Sequence, residues 1–101
     1  HILFHIFTDA SDYQLGACIM QTGQPVAYYS KKLNSAQMNY ATIDKELLCV
    51  VATLREFCSM LLGAELHIPP IQKHTINIGD SSQRRLRWIS YVDEYGPELH
   101  Y

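Results

Sequence analysis

The chain lacks the features that mark several common function classes. No apolar run among its 101 residues approaches the roughly 20 residues that cross a membrane, which excludes a helical membrane span. The net charge is −2, so any binding of nucleic acid has to be local. A glycine-rich phosphate loop is missing, which argues against an actin-like nucleotide-binding fragment. The lack of a signal peptide predicts an intracellular protein, cytoplasmic or nuclear, and His1 in place of Met predicts a piece of a longer chain.

Cysteine is scarce and its spacing is uninformative. The three residues Cys18, Cys49 and Cys58 are odd in number and form no C-x-x-C pair. Reduced thiols in an intracellular core are therefore favoured over disulfides or a zinc site. The five histidines also lack ligand spacing, which favours structural roles over metal binding.

The composition predicts one globular domain, residues 1–101, with 48% hydrophobic and 18% charged residues. Three antiparallel strands are predicted over residues 3–8, 15–21 and 25–30, with a hairpin turn at Thr22-Gly23. The first strand is apolar on both faces, which predicts a central position in the sheet. Pro25 at the start of the third strand is best tolerated at a sheet edge.

Two helices and two further strands complete the predicted domain. A polar connection over residues 31–39 leads into a helix over 42–62, with Thr42 as N-cap and Gly63 as C-terminal stop. Its buried stripe is read at helical spacing as Leu47, Val50, Val51, Leu54, Cys58 and Leu61.

A strand over residues 65–68 follows, then a helix over 81–94 and a last strand over 97–101. Leu86, Ile89, Val92 and Trp88 are predicted to face the core from this second helix. The order βββαβαβ indicates an α/β fold with a mixed five-stranded sheet, in which the helical crossover places the fourth strand parallel.

Two acids lie where a cation site could form. Asp9 ends the first strand and Glu46 lies in the first turns of the long helix. Two carboxylates on such elements suit a divalent cation for phosphodiester chemistry. Simpler interpretations are a turn residue for Asp9 and a helix-start acid for Glu46.

Several segments in order carry a resemblance to a known family. They are residues 7–12 (FTDASD), 15–17 (LGA), 26–33 (VAYYSKKL), 39–42 (NYAT), 46–48 (ELL) and 85–88 (RLRW). Together these segments resemble the ribonuclease H domain of Ty3/gypsy-type retrotransposon reverse transcriptases, and they extend over nearly the whole chain. The predicted βββαβαβ order is also the order of that RNase H-like fold.

The resemblance implies hydrolysis of the RNA strand of an RNA–DNA hybrid, with two Mg²⁺ (or Mn²⁺) ions. By position in the family pattern, Asp9 and Glu46 are the catalytic metal ligands, and a water is the nucleophile. The implied partners are the hybrid and an upstream polymerase domain of the same polyprotein.

A basic cluster is the candidate contact with nucleic acid. Arg84, Arg85 and Arg87 hold three of the eight basic residues and lie beside Trp88. The cluster could face phosphates, or it could be a solvated helix face.

The family pattern is interrupted after the fourth strand. Alignment without gaps places Ile71 at the position of the third acid and Pro70 at the preceding Thr, while Asp80 lies on the wrong side of the connection to replace it. A compensated frameshift is one hypothesis for this segment, and the coding DNA would test it. The fourth acid and a C-terminal element lie beyond Tyr101.

Reduced or absent hydrolysis is therefore expected, because two carboxylates hold two cations weakly. The alternatives are a non-catalytic RNase H-like module, which binds hybrid or packs on a polymerase, and a decayed transposon relic.

Overall fold

The computed structural model describes residues 2–69, 83–95 and 99–100. In these residues five strands form one mixed sheet in the order β3-β2-β1-β4-β5. The strands are β1 (Leu3–Ala10), β2 (Gln14–Gln21), β3 (Gln24–Lys32), β4 (Glu65–His67) and β5 (Leu99–His100). The helices are α1 (Ser35–Met38), α2 (Thr42–Glu56), α3 (Cys58–Leu61) and α4 (Gln83–Asp93).

The strand directions confirm the predicted mixed sheet. β1 pairs antiparallel with β2, and β2 pairs antiparallel with β3. β4 lies parallel to β1 on its other side, and β5 lies parallel to β4. The helical connection from β3 to β4 thus returns the chain to the far side of β1, as a crossover between parallel strands requires.

β1 is central, as predicted, and within the described part of the chain its two faces differ in burial. Phe4 and Ile6 are 4% and 3% exposed on the core face, whereas Phe7 is 59% exposed on the other. Successive side chains of a strand point to opposite faces, so an apolar run alone cannot distinguish one-sided from two-sided burial. The predicted central position of the strand is thereby confirmed.

The hairpin between β2 and β3 has the predicted turn. Thr22 and Gly23 have φ angles of 49° and 78°. Positive φ at both central residues is the requirement of a type I′ turn, whose twist matches that of the flanking strands. Pro25 lies on the edge strand β3, next to a shift in register between Ile19 and Met20, which is the placement that proline tolerates.

The long predicted helix is divided in two. α2 ends at Glu56, Phe57 adopts φ −114°, and α3 continues as a single short turn. The N-cap is Ala41 without a side-chain hydrogen bond, and Thr42 is the first helical residue, so the prediction of a Thr42 cap is wrong. Gly63 follows α3 with φ 84°, which confirms it as the helix stop.

The segment predicted as a polar connection contains a helix of its own. In α1 the Asn34 side chain accepts a hydrogen bond from the Gln37 backbone at 2.8 Å, and the Gln37 side chain accepts one from the Asn34 backbone at 3.0 Å. This reciprocal capping box satisfies two free N–H groups and explains how a helix of four residues forms.

α4 packs on α2 and closes one side of the core. Trp88 and Val92 are buried as predicted, and Ile89 is partly buried. Leu86 is 48% exposed, so its predicted core position is wrong. Helical spacing alone gave Leu86 a place on the stripe, but the buried face of α4 is formed by Trp88 and Val92, which lie four residues apart. The described helices include none long and apolar enough to cross a bilayer.

Candidate metal and nucleic-acid site

Asp9 lies at the end of β1, exposed to solvent and opposite Gly16 of β2. It lines a shallow cavity of about 190 Å³ together with Ser11, Gln14 and Ser30. Gln14 donates a side-chain hydrogen bond to Ser30 across the two strands. Leu15 and Gly16 complete the lining, so the cavity has a mixed polar and apolar wall to which Asp9 contributes a carboxylate.

The turn after Asp9 is held by Ser11. Its hydroxyl accepts hydrogen bonds from the backbone N–H groups of Tyr13 (3.3 Å) and Gln14 (3.0 Å), and its own N–H donates to the Gln14 carbonyl at 2.9 Å. Serine favours this kind of local side-chain bond in turns. The Thr-Asp-Ala-Ser motif thus includes the serine that stabilises the turn after Asp9.

Cys49 holds α2 against the backbone that carries Asp9. Its thiol donates to the Gly16 carbonyl at 3.2 Å and lies 3.8 Å from the Asp9 carbonyl oxygen. Burial raises the pKa of the Cys49 thiol, so the group remains a protonated donor at neutral pH. This contact fixes the distance between the helix and the ends of two strands.

Lys45 provides a second anchor one turn earlier. Its ammonium lies 3.5 Å from the carboxylate of Asp12 in the turn after β1, and its side chain is only 9% exposed. Glu46 follows Lys45 and precedes Cys49 by three residues, about one helical turn. Glu46 is exposed. The two anchors on either side of Glu46 bring the first turns of α2 to the end of β1 that carries Asp9.

Two arginines of α4, Arg84 and Arg85, have partners within the protein. Arg85 makes a two-pronged ion pair with Asp44 of α2, through its Nε and through Nη2 at 3.0 Å. Asp44 is 3% exposed, and Arg84 Nη2 lies 3.6 Å from the same carboxylate. Arg87 is exposed. Arg85 is thus directed toward the α2–α4 interface, and Arg87 remains the exposed basic side chain of the predicted cluster.

Arg84 also stacks on aromatic rings. Its guanidinium carbon lies 3.9 Å from the centroid of the Tyr40 ring and 5.5 Å from that of Trp88. A guanidinium over an aromatic face gains electrostatic attraction and packs its plane on the ring. The basic cluster is therefore partly structural, and its contact with nucleic acid stays a prediction.

Pro70, Ile71 and Asp80, on which the prediction about the third acid depends, lie outside the described residues.

Asp44 lies in the first turn of α2 and is nevertheless buried. A signal was available, since Asp44 precedes Leu47 by three residues and thus continues the buried stripe of α2. An acid in line with an apolar stripe indicates a buried partner on the facing helix.

The sequence profile of one family matches residues 3–95, and its description is an RNase H-like domain found in reverse transcriptase. The chain belongs to this family. It is 36% identical, over 97% of its length, to the retrovirus-related Pol polyprotein from transposon opus of Drosophila melanogaster. It is 33% identical, again over 97%, to that from transposon gypsy of the same species. These results confirm the predicted resemblance. The chain spans only 11% and 10% of the length of those polyproteins.

Solved structures share the fold. A foamy viral protease–reverse transcriptase in complex with an RNA/DNA hybrid matches 98% of this chain and 15% of its own, with a TM-score of 0.79 and 18% identity. RNase H1 from the halophilic archaeon Halobacterium salinarum matches 96% and 79%, with a TM-score of 0.63 and 14% identity. The α/β fold predicted from the order of elements, and the RNase H-like fold that the family resemblance implied, are thereby confirmed.

Proposed function

We propose that this domain descends from a metal-dependent ribonuclease H that hydrolyses the RNA strand of an RNA–DNA hybrid, and that this copy is impaired. The observation that carries the proposal is the placement of Asp9 and Glu46. Both are exposed carboxylates, and the contacts of Cys49 and Lys45 bring their elements together at one end of β1.

The donor set fits the hard cations that the family uses. Mg²⁺ takes carboxylate oxygens and keeps several waters, so it needs few protein ligands that are fixed by rigid elements. Asp9 and Glu46 would hold the ions, from a strand and a helix that pack on each other. When bound, a pair of Mg²⁺ or Mn²⁺ ions stabilises the attacking and leaving oxygens of phosphodiester cleavage. The protein's own contribution is to hold both carboxylates on rigid elements, open to solvent.

The impairment follows from the third position. Ile71 stands where the family pattern has an acid, and an isoleucine offers no oxygen to a cation. Fewer fixed negative charges bind a cation pair more weakly, because the repulsion between the two ions is less compensated. We expect weak metal binding and little cleavage by the natural sequence.

Two partners belong to the proposal. The first is the RNA–DNA hybrid, for which the exposed Arg87 is the described candidate for a phosphate contact. The second is a polymerase domain of the same polyprotein, since the matched relatives are Pol polyproteins of which this chain spans about a tenth.

Cleavage of an end-labelled RNA–DNA hybrid by the purified chain, with Mg²⁺ or Mn²⁺, tests the proposal. The natural sequence should cleave slowly or not at all, and Ile71→Asp should increase the rate. Ile71→Asn is the matched control, because asparagine has about the size of aspartate but no charge. Its cleavage rate should equal that of the natural sequence. Adding Asp9→Asn or Glu46→Gln to Ile71→Asp should abolish the gain.

Each alternative has its own outcome. Rapid cleavage by the natural sequence overturns the impairment. Cleavage that survives loss of Asp9 and Glu46 overturns the site. Binding of hybrid without cleavage by any variant, Ile71→Asp included, favours a non-catalytic RNase H-like module.

A further inference from the structure

Three histidines stand in a row across the open face of the sheet. His5 of β1 pairs in register with His67 of β4, and His67 pairs in register with His100 of β5. Residues paired across neighbouring strands point to the same face. The ring centroids of His5 and His67 are 5.0 Å apart, and those of His67 and His100 are 4.7 Å apart.

One carboxylate, that of Glu65, lies close to two of these histidine side chains. Glu65 precedes His67 by two residues and so shares its face of β4. Its Oε1 lies 3.2 Å from His100 Nε2, and its Oε2 lies 3.7 Å from His67 Nε2. One ligand atom from each of the three side chains lies within 4.8 Å of the other two.

These separations match those around a tetrahedral cation. Zinc bonds of about 2.0–2.2 Å place two ligands of a tetrahedron roughly 3.4 Å apart. The distance from Glu65 Oε1 to His100 Nε2 is 3.2 Å, and the distance from Glu65 Oε2 to His67 Nε2 is 3.7 Å. These two distances lie on either side of this value. All three side chains are partly exposed, which leaves their torsions room to adjust when a cation binds.

The ligand types select the class of cation. Imidazole nitrogen suits zinc, copper and nickel, whereas Mg²⁺ and Ca²⁺ favour sites made of oxygen atoms alone. We propose that Glu65, His67 and His100 form a binding site for a divalent transition-metal cation of the zinc class, separate from the Asp9 and Glu46 site. The side chains are 30%, 42% and 45% exposed, so solvent occupies the remaining coordination position.

The site lies well away from the candidate catalytic carboxylates. His5 is the residue of β1 that pairs with His67 of the site. Asp9 lies four residues further along the same strand, a distance of about 13 Å. A cation held here bridges β4 to β5, which pair through Leu66–Leu99 and His67–His100 within the described residues. Binding therefore stabilises the edge of the sheet without touching the groups proposed for hydrolysis.

Titration of the purified metal-free chain with Zn²⁺, followed by isothermal calorimetry, tests the site. We expect one ion per chain and an upward shift in the midpoint of thermal unfolding. Loss of an outer partner alone weakens metal sites by 10–100-fold, so Glu65→Gln, His67→Gln or His100→Gln should each weaken affinity by about 100-fold or more. His5→Gln is the matched control, because it removes a histidine of the same row that lies outside the ligand set. It should bind as the natural sequence does.

Two further measurements separate this site from other ligands in the chain. Asp9→Asn should retain the full Zn²⁺ affinity, which makes the outcome independent of the proposed hydrolysis. Substituted Co²⁺ should give a spectrum without a thiolate charge-transfer band, since no cysteine belongs to the set. The proposal is overturned if Zn²⁺ fails to bind stoichiometrically, if His5→Gln or Asp9→Asn weakens binding as much as His67→Gln, or if the thiolate band appears. In the first case the cluster is an ion pair of the sheet edge and nothing more.

Discussion

The guanidinium of Arg85 and the carboxylate of Asp44 form a two-pronged ion pair that joins α4 to α2, with the Asp44 side chain 5% exposed. A carboxylate removed from water in this way needs its partner, because an isolated charge in the interior is strongly disfavoured. The pair links the helix that carries Glu46 to the helix that carries Arg87. The pair therefore acts on the candidate site by holding these two helices in position.

Removal of the Asp44 charge should destabilise the protein. Asp44→Asn retains the shape of the side chain but removes the negative charge from the buried pair, and breaking a buried pair in this way costs about 3–5 kcal/mol. Urea unfolding followed by circular dichroism measures the change in the free energy of unfolding. Glu46→Gln, two residues further along the same helix and exposed, is the control and should change it by less than about 0.5 kcal/mol. Equal effects of both variants would contradict a structural role for the pair.

The buried thiol should make stability depend on alkaline pH. Burial raises the pKa of Cys49 above its ordinary value of 9.0. Because the unfolded thiol loses its proton at a lower pH than the folded one, its stabilising contribution is complete below about pH 9 and is lost as the pH rises through the folded pKa. The free energy of unfolding should thus fall more steeply from about pH 8 to about pH 10 in the natural sequence than in Cys49→Ala.

Burial also raises the pKa values of Tyr29 and Tyr95, and both residues are present in the natural sequence and in Cys49→Ala. The smaller contribution that Cys49 makes to the raised pKa of Tyr29 is lost in the variant and therefore counts as part of the thiol's effect. Identical slopes in the natural sequence and Cys49→Ala would show that the thiol does not carry the effect.

Arg87 should contribute to the electrostatics of hybrid binding. Each phosphate contact that is lost reduces the slope of log affinity against log salt by about 1. Arg87→Gln should therefore bind an RNA–DNA hybrid more weakly and with a shallower salt dependence, measured by fluorescence anisotropy. Arg55→Gln changes another exposed arginine, on α2, and should leave the slope unchanged. An unchanged slope for Arg87→Gln, or no binding by the natural sequence, contradicts the prediction.

Thr22 is a place where the natural sequence can be improved. Its φ of 49° is costly for a β-branched residue, whereas asparagine tolerates this region. Thr22→Asn should raise the free energy of unfolding by about 0.5–1.5 kcal/mol, measured by thermal or urea unfolding. Thr22→Val keeps the branch and loses the hydroxyl bond to the Gln21 carbonyl at 2.8 Å, so it should give no gain. A stabilising Val substitution would show that backbone strain is not the limiting term.

Local patterns were enough for the order and type of the main elements. The turn at Thr22-Gly23, the apolar stripe around Leu54 and the stop at Gly63 each depend on residues that are close in sequence. The parallel direction of the fourth strand followed from the helical crossover that precedes it. The family motif then indicated Asp9 and Glu46 as candidate site residues, although their role remains a prediction.

The rest depends on what lies opposite a residue in three dimensions. The exposure of Phe7 and Leu86 is decided by the neighbouring layer, and sequence periodicity does not include that layer. The ion pair of Asp44 joins residues 41 positions apart. The row formed by His5, His67 and His100 exists only through the register of three strands, so their spacing in the sequence carried no signal of it.

The edge strand β3 bears on how the molecule behaves at high concentration. An exposed strand edge is a template on which another chain can add and begin a cross-β aggregate. Pro25 removes one donor from β3, and the register shift leaves Val26 as an extra residue in the strand. Lys31 and Lys32 place two positive charges at its end. The edge strand β3 therefore resists the addition of a second chain, although it includes exposed apolar side chains such as Val26 and Tyr28.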